Sequence, residues 1–227
     1  MKPMAVGRGI SQSIADYRRR FQDFWAVYSR SSFGMVGLGM LVFFIFIALF
    51  GPFLAPYNPR TTSIELVLQS PSLSHPFGTD ELGRDILSQV IYGTRISLYI
   101  GFAAAAISVV MGTIIGMASG YFGRKVDAIL MRLTDVFLVI PFLVLIVILV
   151  AMLGPSLENI IIAIAITQWT STARITRSQT LSVKEKIFIT RAKAIGSGDA
   201  HIISRHILPN VLPLVFANMV LVTSLTI

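Results

Sequence analysis

The chain has 227 residues, of which 54% are hydrophobic and 13% charged, with no cysteine and a formal net charge of +8. A soluble domain of this size carries about 25% charged residues, and here the shortfall lies in long uncharged runs, the pattern of a chain that crosses a membrane several times. Lack of cysteine excludes disulfides and thiolate metal sites, and a basic balance is common in membrane proteins, whose cytoplasmic loops collect Lys and Arg, so it points there rather than to nucleic acid.

Residues 1–32 form a basic tail with Lys2, Arg8, Arg18, Arg19, Arg20 and Arg30. Tyr17, Phe21, Phe24, Trp25 and Tyr28 punctuate it, so Ile14 to Tyr28 reads either as an amphipathic helix on the bilayer surface or as a tail that only fixes topology. A cleaved signal is not expected, because the apolar run begins only at Phe33 and is too long for one. Residues 33–54 are the first span, with Gly34, Gly37 and Gly39 near its start and Gly51-Pro52 near its end.

Residues 55–95 are a polar connection containing His75-Pro-Phe-Gly-Thr-Asp80-Glu-Leu-Gly-Arg84-Asp85. Thr79 and Asp85 are candidate helix caps. His75, Asp80, Glu81 and Asp85 lack the dense spacing of a metal site, and Arg84 is placed to neutralise a carboxylate. The second span, 96–121, carries a four-residue stripe of small residues: Ala104, Ser108, Gly112, Gly116 and Gly120. That flat face predicts close packing against another helix. A charged loop, 122–135, leads to a third span, 136–153, where Pro141 suggests a kink. After the Gly154-Pro155-Ser156 turn comes a fourth span, 157–173, with Glu158 at its interface end and Trp169 in a belt or bundle contact.

Residues 174–210 hold seven basic residues, and the apolar run 211–227 is too short to cross as read, so a fifth span is expected to be incomplete and a sixth absent. Lys and Arg number six in the tail, three in 55–95, three in 122–135, none in 154–156 and seven in 174–210. Alternate segments thus hold sixteen and three, which places the tail and the loops 122–135 and 174–210 in the cytoplasm.

The chemistry-bearing motifs are sparse. No phosphate loop, His-Glu-x-x-His or Gly-x-Ser-x-Gly occurs, so no ATP or metal cofactor is expected in this chain and no catalytic set is assigned. No acidic or basic residue lies centrally in a span, which argues against the rival reading of a secondary transporter or channel subunit. In the 174–210 loop, Val183 to Ala194 reads as a helix presenting Lys184, Lys186, Arg191 and Lys193 alongside Ile187 and Ile189. Gly196-Ser197-Gly198 breaks it, Asp199 caps a second short helix with an apolar side of Ile202, Ile203, Ile207 and Leu208, and Pro209 limits that helix. Such a helix–turn–helix suits insertion into a groove on another protein. His201 and His206, five apart, are not expected to share a helix face.

These residues resemble a known family. Glu-Ala-Ala, three residues, Gly, nine residues, Ile-x-Leu-Pro is the coupling-loop pattern of ATP-binding-cassette importer permeases. Here Thr190-Arg191-Ala192 stands at the first part, Gly196 at the glycine and Leu208-Pro209 at the close, with Thr190, Arg191 and His206 departing from the pattern. The stretch from His75 through Tyr92-Gly-Thr-Arg-Ile-Ser-Leu98 resembles the block after the first span in C-type permease subunits of dipeptide and oligopeptide importers. Ala55 to Pro59, Gly120 to Gly123, Asp127, Met131-Arg132, Asp135 and Pro141 fall where that family has similar residues.

The resemblance implies an all-α helix bundle of the type I importer permease kind, in a bacterial or archaeal plasma membrane with its N-terminus cytoplasmic. It implies a homologous permease partner, two ABC ATPase subunits that bind ATP and Mg, and an extracytoplasmic solute-binding protein. It also implies an ATPase-docking loop of Thr190, Arg191, Ala192, Lys193, Ala194, Gly196, Ser197, Gly198, Asp199, Leu208 and Pro209. The solute, whether dipeptide, longer peptide, glutathione or nickel complex, stays open.

Overall fold

The computed structural model describes residues 19, 22–23 and 25–227. Most of the surface helix considered for Ile14 to Tyr28 lies outside the described residues. The described chain is helical, and it divides into two units, one ending at residue 95 and the other spanning 96–227.

In the first unit, α1 (Ser32–Leu54) is capped by Ser31, whose side chain accepts from the Gly34 N–H at 3.2 Å. Its outward side chains are almost all apolar, from Phe33 and Val36 to Phe53. Gly51 is its buried residue, against Ile91. Residues 55–85 form a lobe with a 3₁₀ turn (Ile64–Leu66), and Thr79 and Asp85 pair as an isolated antiparallel bridge.

The long helix α2 (Ile86–Phe122) begins in the first unit and continues into the second. The last ten residues of the polar connection read from sequence, 86–95, are therefore already helix. Asp85 starts it, accepting from the Ser88 N–H at 2.8 Å, which is N-cap geometry.

In the second unit, α2 packs along α5 (Leu157–Lys184). A Cβ on Gly112 would stand 2.5 Å from the Trp169 carbonyl oxygen and 2.6 Å from Thr172 Cβ. One on Gly116 would run into the Ala173 carbonyl, and one on Gly120 would lie 2.8 Å from Thr180 Cβ. Each four-residue step on α2 is matched by one on α5, so the helices run in the same direction with backbones in contact. Ala104 and Ser108, on the same stripe, are fully buried. The helix α8 (Leu208–Thr226) runs the opposite way, with Thr223 and Ile227 beside Gly101. Its buried Asn218 donates to Thr172 Oγ1 on α5 at 2.8 Å, an interhelical bond of about 0.6–2 kcal/mol in a membrane protein.

Three differences from the sequence reading have physical causes. The charged loop 122–135 is mostly helix, α3 (Arg124–Val139), and the third span 136–153 is not one kinked helix. It breaks at Ile140-Pro141, and α3 meets α4 (Phe142–Leu153) at 89°. Pro141 drives the residue before it out of helical geometry, and Ile140 is extended at ψ 125°. At 1.5 Å per residue, α4 alone falls short of a hydrocarbon core of about 30 Å.

The loop 174–210 begins only after Lys184, because α5 continues past Ala173. Finally, the helix entering 211–227 starts at Asp199. It runs 28 residues to Thr226, and with α1 and α2 it is one of three among the described residues long and apolar enough to cross a membrane. The helix α5 is less apolar, and its buried side includes Thr167, Thr170, Thr172, Thr176 and Thr180.

Polar ties hold α3 in place. Arg177 on α5 donates to both carboxylate oxygens of Asp127, at 2.5 and 2.6 Å, and Ser119 on α2 donates to the same group at 2.5 Å. Arg174 pairs with Asp135 at 2.6 Å. Trp169 is a bundle contact, edge-on to Phe137 with centroids 5.5 Å apart.

Candidate functional site: the basic loop between α5 and α8

The loop is built from α6 (Ile187–Ala194), a turn, α7 (Asp199–Ile202) and a π-helical segment (Ile203–Ile207) that runs into α8. At the end of α6, the Ser197 N–H bonds the Ala192 carbonyl and the Gly196 N–H bonds the Lys193 carbonyl, both at 3.0 Å. This is a Schellman closure, with the left-handed residue at Gly196, φ +81°. Only Gly196 needs its glycine; Gly198 has φ −68° and open space around it. Gly198, not Asp199, is the N-cap of α7. Asp199 is the first helical residue and instead accepts a 2.6 Å hydrogen bond from the Tyr121 hydroxyl.

Tyr121 organises the inner side of the loop. Lys184 Nζ donates to its carbonyl at 2.6 Å, satisfying a C-terminal acceptor of α2. Lys193 Nζ lies 5.3 Å from its ring centroid, within cation–π range. Ile189, Ala192, Ile202 and Ile207 are buried in one apolar cluster with Met117, Tyr121, Val183 and Val211. The apolar side expected to enter a partner's groove is thus turned into the protein's own bundle, and Ile189 is not presented outward. What the loop does expose is Ile187 (72%) and Ile195 (83%), with Phe188 less so. Thr190, Arg191, Lys193, Ala194 and Asp199 are also on the outer surface, while Ala192 is buried and Ser197 half-buried.

The π segment overturns two expectations. The Leu208 N–H bonds the Ile203 carbonyl, a five-residue step that carries the helix on through Pro209 rather than ending it there. The wider turn also brings His201 and His206 together, ring centroids 5.7 Å apart, where an ordinary helix would separate them. Phe188 completes the group, 6.2 Å from His206. Sequence reasoning missed Tyr121, Ile195 and this His pair. Only Ile195 carried a signal, an isoleucine directly before a helix-ending glycine. Among the described residues no group of three or more His, Cys, Asp or Glu is placed to hold a metal.

The lobe of residues 55–85 accounts for the second motif. Asp80 accepts from the Leu82 and Arg84 N–H groups at 2.9 Å, from Arg84 Nε at 2.7 Å and from Gln89 at 3.0 Å. The Arg84 guanidinium holds the Asp80 carboxyl well below the usual carboxylate range. Burial pushes Asp85 up, but hydrogen bonds from Ser88 and His75 outweigh it and lower the group overall. Asp85 and His75 are buried 3.0 Å apart, with the Tyr57 ring tilted against His75, centroids 4.7 Å apart.

The chain is similar to known proteins along most of its length. Residues 112–227 match the model for the inner membrane component of binding-protein-dependent transport systems. The chain belongs to that permease family. Residues 19–71 match the N-terminal transmembrane domain of oligopeptide transport permease C. Among its relatives, the dipeptide transport system permease protein DppC of Bacillus subtilis is 38% identical over 200 residues, covering 88% of this chain and 62% of that protein. The oligopeptide transport system permease protein OppC of the same organism is 34% identical over 221 residues, covering 97% and 72%. DppC of Haemophilus influenzae is 36% identical over 197 residues, covering 84% and 67%. The chain thus spans a little under two thirds of the length of the first of these permeases. The family is one of transport permeases rather than enzymes; the basic loop and Gly112, Gly116 and Gly120 fall within the matched segment, while Ala104 and Ser108 precede it.

Proposed function

We propose that this permease is the C-type membrane subunit of an ATP-driven importer of the peptide class. In this reading it forms the solute path with a homologous permease subunit, receives solute from an extracytoplasmic binding protein, and is driven by two cytoplasmic ATPases that bind ATP and Mg. The N-terminus and the basic loop face the cytoplasm of a bacterial or archaeal cell, as the sixteen-to-three distribution of Lys and Arg favours.

The observation that carries the reading is the two-sided construction of the loop. Its inner side is joined to α2, α5 and α8 through Tyr121, Ile189, Ile202 and Ile207. Its outer side offers Ile187, Ile195, Thr190 and Arg191 to a partner. A push on that outer surface moves the span helices as a unit, and nucleotide binding in the partner biases the two access states of the path. Thr190, Arg191, Lys193, Ala194, Gly196, Ser197, Gly198 and Asp199 form the docking surface and its turn, while Ala192, Leu208 and Pro209 fix its base.

The test is co-purification with the ATPase subunits, and solute uptake in vesicles with and without Gly196→Val. The Schellman turn needs the left-handed backbone, so the substitution should abolish ATP-driven uptake while ATPase subunits alone keep basal hydrolysis. Unchanged uptake, or uptake that follows an ion gradient instead of ATP, would overturn the reading in favour of a secondary carrier.

A further inference from the structure

We infer that the face of α5 carrying Gln168 and Ser171 lines a water-filled half of the solute path, continuous with the end of the bundle where the basic loop lies. The inference rests on the permease reading and assigns this chain's own contribution to the path.

The contrast that carries it is between exposed residues at membrane depth. On α1 the outward side chains are apolar, among them Val36, Phe43 and Leu49, as are Leu143, Val147 and Ile148 on α4. On α2 they are Tyr99, Phe102, Ile107, Val110 and Ile114. Such surfaces suit lipid. The helix α5 differs. Counting 1.5 Å per residue from Leu157, Gln168 lies about 16 Å and Ser171 about 21 Å along it, near the middle of a hydrocarbon core of about 30 Å. Gln168 is half-buried and Ser171 exposed, while Trp169, Thr170, Thr172 and Ala173 between and beside them are buried.

Ser171 bonds only its own helix, at the Gln168 carbonyl, 3.3 Å away. Among the described residues the Gln168 amide has no hydrogen-bond partner, and an amide facing lipid without one is strongly disfavoured. The polar character then continues toward the basic loop. Arg174 is 54% exposed on its side chain and ion-paired to Asp135, and Ser178 is exposed one turn further. In the other direction the same side of α5 becomes apolar at Ile164 and Ile160. Water therefore enters from the loop end and stops near Gln168. An uncharged, hydrogen-bonding wall of this kind fits a solute rich in peptide groups that passes without being held tightly.

The chain contains no cysteine, so single thiols can be placed without altering the background. Gln168→Cys, Ser171→Cys and the lipid-side control Val147→Cys would be built into the assembled transporter. Each would be exposed, in inside-out vesicles, to a charged, membrane-impermeant methanethiosulfonate. The thiols at 168 and 171 should label at least tenfold faster than the one at 147, and labelling should block uptake. Labelling as slow as at 147, with and without ATP, would overturn the inference, since the face would then be sealed by lipid or a partner helix. Uptake by the complex with the unsubstituted, cysteine-free chain reports on the permease reading separately. Import without labelling overturns the path assignment alone, whereas rapid labelling without ATP-dependent import upholds the wet face and overturns the permease reading.

Discussion

The lobe of residues 55–85 and the loop of residues 185–207 are both polar connections rich in glycine and charge, yet they use those residues in opposite ways. In the lobe a set of charged groups turns inward, Asp80 on Arg84 and Asp85 on His75 and Ser88, while Arg60, Glu65 and Glu81 stay exposed. Gly78 and Gly83 have φ of +74° and +71°, and a Cβ on either would enter the backbone of Gln69 or Ser63. In the loop only Gly196 is required by backbone conformation, and nothing lies within 4 Å of its would-be Cβ. Ile189, Ala192, Ile202 and Ile207 close the inner side, while Ile187, Ile195 and most of the charge face out. The lesson is that a dense motif can record a segment closing on itself, while a sparse one marks a surface meant for something else.

That contrast can be broken most severely at Gly83. Gly83→Ala combines a left-handed backbone, costing roughly 1–2 kcal/mol for an L residue, with collision against the Ser63 carbonyl. It should sharply lower the yield and melting temperature of the membrane-inserted protein. Gly198→Ala, in open space, should leave both unchanged. Next in size is Asp85→Asn, which weakens a buried network of His75, Ser88 and the α2 cap. A loss of about 1–3 kcal/mol is expected for a disrupted buried hydrogen-bond group, read as a lower melting temperature. Arg191→Ala should do the reverse, leaving the melting temperature within about 2 °C while lowering ATP-driven uptake. A fall in stability without a loss of coupling would place Arg191 with the lobe residues in kind.

The smallest effect is acid sensitivity. Asp80 has a folded carboxyl pKa below its unfolded value of about 3.9. Its contribution is fully present above that unfolded value and is lost as pH falls through the folded one. Asp80→Asn should therefore remove part of the acid-side slope of a melting-temperature profile and leave the neutral side flat.

Much of the bundle is legible in the sequence because its signals are periodic. Uncharged runs mark α1, α2 and the run entering α8, and Gly112, Gly116 and Gly120 announce a close helix contact by their spacing alone. The break at Pro141 was visible as a kink but not as an 89° turn, because a proline tells where a helix is disturbed and not how its neighbours then pack. The candidate loop is legible by its charge and its glycine, yet the inward turn of Ile189, Ile202 and Ile207 depends on Met117 and Tyr121, residues far from it in the chain. Asp199 looked like a cap because capping is local. Its actual partner, the Tyr121 hydroxyl, is 78 residues away.

The π segment at Ile203–Ile207 amounts to one supernumerary residue wound into a helix. Each residue of an α-helix advances its neighbours by about 100°, so the segment sets the angular phase of everything after it. Val211, Val215, Asn218 and Val222 are buried in the bundle in the phase that this extra residue gives them. Removing any one of the five would let the turn relax to ordinary helix and rotate this row away from Thr172. The segment that looks like a local irregularity beside the basic loop is thus the timing mark from which the last helix takes its inward face.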